Sequence, residues 1–352
     1  MRICILGAGG LGSVLGGWLG ETGVDVTLVA RTDHAAAIQD HGLRIDGIRG
    51  SRVVKGITAV TNVDQAKGDF DYLLLTVKAR ATEAALSDAG GARDRFGVAV
   101  SLQNTICKEE ELAAWIGADR VIGGSTIEGG VLQAPGVVSH TATAPTTAYF
   151  GELDGQSSSR VGALVDVFCA AGFPTLESSE IQHVEWEKLL QISIVAGWSA
   201  SVFGAIGGSV AQGLLVKEAA EHYVQLAQEL LGVYQAMGYE PADYYAPFSR
   251  FRELRSWAFD QAVEAMMTLG TNMISQGLFG RPSLHDDLLQ GRPTEVDYSI
   301  GTWLREANVR GLNTPTVQSV YRIIKSLEYW LVELGGARPI LPEIRVPMEE
   351  SR

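Results

Sequence analysis

The run Arg2-Ile3-Cys4-Ile5-Leu6-Gly7-Ala8-Gly9-Gly10-Leu11-Gly12 decides the reading of this chain. Its short apolar opening, rich in β-formers, predicts a buried parallel strand, and the glycines follow without a spacer. Residues 13–20 then suit a helix. In a strand–turn–helix of this kind Gly7 permits the tight turn, Gly9 lets backbone approach a pyrophosphate, and Gly12 lets helix and strand pack closely. Free amides at the helix start, those of Gly10 and Leu11 among them, would hold phosphates together with the positive end of the helix dipole. A lone G-x-G-x-x-G is weak, and a glycine turn with no ligand is its plain alternative. The context strengthens it: a second apolar run, residues 24–29 (VDVTLV), arrives after a helix-length gap with Gly23 at its turn.

The end of that second strand chooses between the two nicotinamide cofactors. An acidic side chain about 20 residues past the glycines suits the ribose hydroxyls of NAD, whereas an arginine suits the 2′-phosphate of NADP. The chain reads Ala30-Arg31-Thr32. NADP is therefore expected, with Arg31 as a charge-assisted partner of the phosphate. Asp33 nearby keeps NAD open.

A chain of 352 residues has room for two domains, and its 46% hydrophobic and 20% charged composition is that of a globular protein. The net charge of -13 argues against a nucleic-acid partner, which needs a basic face. Cys4, Cys107 and Cys169 have neither metal-ligand spacing nor a disulfide framework. No metal is expected, and a reducing cytoplasm fits best. The N-terminus lacks a signal-peptide pattern, and no apolar stretch is long enough for a membrane span.

Further along, residues 34–42 are a helix candidate, followed by irregular and short-strand sequence to about Val60. Residues 70–77 and 97–102 read as buried strands that deliver Lys78, then Gln103 and Asn104, to one rim, where open α/β sheets bind their ligands. Residues 120–124 look like one more strand. Residues 137–151 suggest antiparallel strands closing the first domain. Helices are expected over 157–171 and 181–201, then as long elements over 210–237, 251–273, 295–309 and 316–334. The fold class is α/β: a doubly wound Rossmann-type domain over 1–180, an all-helical substrate domain over 181–336 and a peripheral tail over 337–352. The cleft between the domains is the natural substrate site.

At this point the chain resembles the ketopantoate reductase (2-dehydropantoate 2-reductase) family. The resemblance rests on Gly7-Ala8-Gly9-Gly10-Leu11-Gly12, Thr76-Val77-Lys78-Ala79, Leu102-Gln103-Asn104, Trp186-Glu187-Lys188-Leu189, Ser283-Leu284-His285-Asp286-Asp287 and Thr294-Glu295-Val296-Asp297-Tyr298, in order through nearly the whole chain. It implies NADP-dependent reduction of a 2-keto acid to a 2-hydroxy acid, as in pantothenate biosynthesis. Lys188 is then the proton donor, and Asn104 lies near nicotinamide and substrate. Arg31 and Lys78 contact the adenosine end of the cofactor, and Ser283 and Glu295 contact substrate.

The chemistry agrees. Hydride addition to a carbonyl puts charge on oxygen, so the site needs a cation or proton donor aimed there, which Lys188 can be. A facing carboxylate such as Glu295 would set how readily the proton leaves. Each residue also has a plainer role: a snorkelling Lys188 beside Trp186, a surface Lys78, a turn-forming Asn104, a Glu295 in the first turn of a helix. Ser283 could cap a helix with Asp286 as its capping-box acid, and His285 is expected to be structural.

The chain departs from the family one and two turns beyond Lys188. There asparagines that bind the substrate's polar groups give way to Ile192 and Ala196, and a further one to Ile206. A keto acid more apolar than ketopantoate is expected, with Ser193 and Ser199 as candidate replacements. The stretch 239–280 looks longer than in a minimal member, and its aromatics Tyr244, Tyr245, Phe248, Phe251, Trp257 and Phe259 are read as core packing ahead of a pocket or subunit interface. A homodimer through the helical domain is left open. Imine reduction, hydroxy-acid oxidation on the same scaffold, and a redox-silent NADP-binding sensor are the competing functions.

Overall fold

A computed structural model describes residues 1–334; the tail over 337–352 lies outside them. The opening run folds as strand β1 (Arg2–Leu6), whose apolar residues are fully covered, and helix α1 (Gly10–Glu21). The chain returns in β2 (Asp25–Val29), parallel to β1 with Ile3 opposite Val26, and passes into α2 (Thr32–His41). Three short strands follow: β3 (Leu43–Gly47), β4 (Arg52–Val54) and β5 (Thr58–Val60). Next come β6 (Phe70–Leu75), α3 (Thr82–Asp88), β7 (Phe96–Ser101), α4 (Lys108–Ile116) and β8 (Val121–Thr126). These strands are near-continuous apolar runs because a parallel sheet is covered on both faces, and separate apolar clusters fill the two sides.

Strands β9 (Gly129–Ala134), β10 (Val137–Ala142), β11 (Ala148–Gly151) and β12 (Thr175–Glu177), with α5 (Ser159–Ala170) between the last two, complete this half. One sheet runs β12-β11-β8-β7-β6-β1-β2-β5 and is parallel from β5 to β8; β11 joins β8 antiparallel. Its order reverses between β1 and β6, which opens a crevice at their carboxyl ends. The antiparallel texture of 137–151 is present but does not simply close this sheet. β10 belongs to a second sheet, β4-β3-β10-β9, that lies against α1. His34 ties the layers: its Nδ1 accepts the Gly136 N–H at 2.8 Å, so Nε2 carries the hydrogen toward Ser13 Oγ at 2.9 Å.

Beyond residue 180 the structure is helical. α6 (Ile181–Phe203) is its spine, and α7 (Val210–Leu214), α8 (Lys217–Ala236), α9 (Phe251–Ser256), α10 (Phe259–Ser275), α11 (Ser283–Leu289), α12 (Ile300–Val309) and α13 (Pro315–Glu328) pack around one large apolar cluster.

Three of the expected long helices are interrupted. The 210–237 pattern breaks at Leu215-Val216 into α7 and α8, which both pack on α6 and α10; Gly270 of α10 admits Leu214 at the end of α7. The 251–273 pattern breaks at Trp257, whose backbone is extended and whose ring lies 5.1 Å from the Arg250 guanidinium. The helix expected from Glu295 starts at Ile300, because Glu295 is held ahead of it by Lys78 and Ala79 in the turn after β6. The aromatics of 239–280 are mostly core, as expected: Tyr245 and Phe251 are buried, and Phe248 alone of the six is exposed.

Candidate active site

The glycine turn has the form that a pyrophosphate needs. Gly7 has φ +107°, and a side chain there would meet Val77 at 2.5 Å, so the sharp turn requires glycine. At Gly12 a Cβ would lie 2.6 Å from both the Gly7 carbonyl and Thr76 Oγ1, which is the close helix–strand packing anticipated. Gly9 is different: nothing but the Gly7 carbonyl, 4.0 Å away, faces its missing side chain, so the space beside this backbone is open. As the first residues of α1, Gly10, Leu11 and Gly12 have amides with no helical carbonyl to donate to. Gly10 carries an additional constraint, since its backbone abuts Gly130 of β9 and a Cβ would sit 2.5 Å from the Gly130 carbonyl carbon. An anion fits this cradle, and the residues suit a dinucleotide. Arg31 and Asp33 are both exposed at the end of β2, and Arg31 precedes the first turn of α2.

At the ends of β6 and β7 the polar residues divide their work. Gln103 is structural: its amide donates to the Val77 carbonyl at 2.9 Å and to Thr82 Oγ1 at 2.8 Å, while its oxygen accepts from Ser101. That leaves Asn104 as the uncommitted amide of the rim, since its side chain makes no hydrogen bond among the described residues. Asn104 shares a small cavity with Lys188 from α6, and Lys108, Glu185, Ser125 and Thr126 also line it. The cavity measures about 10 Å³, the space of one water, so it forms a floor and not the volume a substrate fills.

Lys188 is partly exposed and makes no ion pair or hydrogen bond among the described residues; its Nζ stands 5.7 Å from the buried Tyr245 ring. Burial, reinforced by the nearby charge of Lys108, pushes its pKa down to about 7. Trp186 does not shelter this lysine. It turns to the other side of α6 and packs on Trp303 with centroids 5.3 Å apart.

Lys78 and Glu295 are brought together, away from this cavity. Lys78 Nζ lies 3.0 Å from Asp287 and 3.1 Å from Glu295, and the second Glu295 oxygen accepts the Ala79 N–H at 2.7 Å. Burial opposes the charge on Lys78, but the carboxylates of Glu295 and Asp287 outweigh it and hold its pKa above the ordinary value. The result is a clasp from the end of β6 to the helical half, in which the Glu295 carboxylate is engaged by Lys78 and not by Lys188.

Ser283 is exposed as the first residue of α11, where Pro282 is the cap; the capping box anticipated there does not form, because Asp286 pairs with Arg281 at 2.8 Å. His285 is structural, buried with Nδ1 3.0 Å from Ser199 Oγ and its ring stacked on Phe203. Ser193 accepts from the Trp303 indole at 3.0 Å, so neither serine is available in place of the missing asparagines. Ile192 is half-buried against the helical core, Ala196 is 1% exposed within it, and Ile206 is 72% exposed in the loop after α6.

Four residues beside the site were given no role by the sequence reading. Glu187 accepts three backbone amides, from Ala242 at 2.6 Å, Tyr244 at 2.7 Å and Asp243 at 3.1 Å, and so fixes the loop that carries Tyr245. Lys108, Glu109 and Glu185 form a buried cluster under Lys188. One signal was present: Lys108 opens a helix whose next three residues are glutamates, and a cation in a first turn opposes the helix dipole.

Two family models match the chain, "Ketopantoate reductase PanE/ApbA" over residues 3–155 and "Ketopantoate reductase PanE/ApbA C terminal" over residues 180–328. The chain belongs to the ketopantoate reductase family. Among its relatives, a 2-dehydropantoate 2-reductase of Pyrococcus horikoshii is 29% identical over 96% of this chain and 99% of its own length. An uncharacterized oxidoreductase of Bacillus subtilis is 26% identical over 93% of this chain and 99% of its own. A D-mandelate dehydrogenase solved with NADH and anilino(oxo)acetate shares the fold, with TM-score 0.75 and 20% identity over 94% of this chain and 99% of that one. This ketopantoate reductase family member is thus an oxidoreductase by descent. No helix among the described residues is long and apolar enough to cross a membrane.

Proposed function

We propose that the protein is an NADPH-dependent 2-keto-acid reductase in which Lys188 protonates the oxygen of the substrate carbonyl. The observation that carries this reading is an unpaired Lys188 amine sharing one cavity with the uncommitted amide of Asn104, at the carboxyl end of the sheet that carries the glycine turn. A reduced nicotinamide bound in the crevice supplies the hydride. The amides of Gly10, Leu11 and Gly12 would hold its pyrophosphate, with Gly9 leaving room for the approach. Asn104 would orient the carboxamide edge and the keto acid. The ammonium of Lys188 gives its proton to the carbonyl oxygen as that oxygen gains charge, which leaves a 2-hydroxy acid and a neutral amine. With Ile192 on the face beyond Lys188, and with Ser193 and Ser199 bonded elsewhere, a keto acid more apolar than ketopantoate suits the site. Measuring kcat/KM for ketopantoate against straight-chain, branched and aryl 2-keto acids tests this choice; ketopantoate as the best substrate would overturn it.

Two consequences are measurable. The proton donor is the charged form of Lys188, and that form is lost as pH rises through about 7. The kcat/KM for reduction should therefore be level below that pH and fall about tenfold per unit above it, while the reverse oxidation should gain along the same limb. A reduction profile level to pH 9 contradicts the assignment. For the cofactor, Arg31→Ala removes the exposed cation at the end of β2. NADPH affinity should weaken by about 10- to 100-fold, as expected for a charge-assisted phosphate contact of ~1.5–3 kcal/mol, with NADH affinity unchanged. Titration by nicotinamide fluorescence reads both, and an intact protein that prefers NADH removes the assignment.

A further inference from the structure

Glu185 and Lys188 lie three residues apart on α6, the spacing at which opposite charges on one helix face meet and pair. Here they do not. One Glu185 oxygen accepts the Gly124 N–H at 2.9 Å and lies 3.1 Å from Lys108 Nζ, and no ion pair joins Glu185 to Lys188 among the described residues. Lys108 enters from the first turn of α4, 2% exposed, and its ammonium is fully committed: to the Gly124 carbonyl, to Glu185, and to Glu109 at 3.6 Å. Burying a cation in a first turn is unfavourable, so the position demands compensation, and the two glutamates supply it.

We propose that Lys108 is a positioning residue that captures the Glu185 carboxylate and so keeps the amine of Lys188 unpaired for the substrate carbonyl. The inference rests on the assignment of Lys188 as proton donor. A lysine locked in an ion pair would hold its proton too firmly and point away from the substrate; one with no counter-ion can release it. Glu109 does not replace Glu185 as a partner for Lys188. Burial and the charge of Glu185 push its carboxyl well above the usual range, and that carboxyl faces Lys108, 3.6 Å away, with no ion pair to Lys188 among the described residues. The remaining surroundings of Lys188 are neutral: Gln103 and Asn104 from the end of β7, Ser125 and Thr126 from β8, and the buried Tyr245 ring from the loop after α8. Glu187 is bound to the amides of that loop, and Glu295 is held by Lys78 and Ala79.

The test reads the titration of Lys188 directly in the cofactor-free protein, as the rate at which its amine is acylated by a small activated ester at each pH, followed by mass spectrometry of the peptide. In Lys108→Met the freed Glu185 carboxylate should turn to Lys188 and raise its midpoint by at least about one pH unit, a tenfold change in its acidity. Lys108→Met with Glu185→Gln should reverse most of that rise, leaving only the part due to loss of the Lys108 charge itself, and Lys108→Arg should leave the midpoint at the parent value. The alkaline limb of the kcat/KM profile should move with it. A Lys108→Met midpoint unchanged in folded protein, or one not reversed by Glu185→Gln, overturns the proposal. Should Lys108→Met fail to fold, Lys108→Gln, which keeps a polar group toward the Gly124 carbonyl, is read in the same way, with the same reversal by Glu185→Gln deciding. Turnover retained in Lys188→Ala would instead remove the proton-donor reading, which this titration does not depend on.

Discussion

Replacing Lys188 with alanine is expected to lower kcat/KM for keto-acid reduction by roughly 10²- to 10⁴-fold, the range associated with one positioned general acid. The change should leave nicotinamide nucleotide affinity within about twofold of the parent. The separation follows from position. Lys188 approaches from α6 and shares its cavity with Asn104, whereas the glycine turn and Arg31 lie at the ends of β1 and β2. Lys188→Arg should be nearly as inactive, because a guanidinium keeps the charge but does not release its proton near neutral pH. Steady-state kinetics with fluorescence titration of the nucleotide checks both. Activity within tenfold of the parent in the alanine variant would remove Lys188 from the proton transfer, and a parallel loss of nucleotide binding would recast it as a cofactor ligand.

The second large effect is expected at the glycine turn, where neighbouring positions should fail for different reasons. In Gly10→Ala the added methyl overlaps the backbone of Gly130, with the carbonyl carbon at 2.5 Å and the Val131 nitrogen at 2.8 Å. Both neighbours are backbone within regular elements, so α1 and β9 must separate. Overpacking of this kind costs about 1–3 kcal/mol, read as an earlier urea midpoint, and nucleotide binding should weaken with it. In Gly9→Ala the methyl meets nothing nearer than 4.0 Å, so the urea midpoint should hold while nucleotide affinity falls at least about tenfold, because the methyl occupies the space a pyrophosphate would enter. Equal affinity for nucleotide in Gly9→Ala and the parent would place the phosphates elsewhere.

These expectations separate what could be read along the chain from what could not. The first strand, the glycine turn and the parallel strands ending at Lys78 and Asn104 were legible because a buried parallel strand is a continuous apolar run and a positive-φ turn selects glycine. Long helices were legible in outline. Their interruptions at Leu215-Val216 and Trp257 were not, since apolar spacing persists through both breaks and both halves still bury their apolar residues in the one helical core. Lys188 and Asn104 were singled out because the motifs around them were recognisable, yet their shared cavity joins residues 84 positions apart in sequence. The partner of Glu295 was misjudged for the same reason: a carboxylate's counter-ion is whichever cation the fold brings within about 4 Å, and here that cation is Lys78.

The sequence by itself determined an α/β chain with a nucleotide-type turn at its start and a helical second half, because backbone geometry and periodic burial act over a few residues at a time. Only the tertiary structure decided that Gly10 answers to Gly130, that Ser193 and Ser199 are consumed by Trp303 and His285, and that Glu185 is turned from Lys188 toward Lys108. Those are contacts between distant segments, and electrostatic and steric energies depend on distance in space, which a linear sequence does not record.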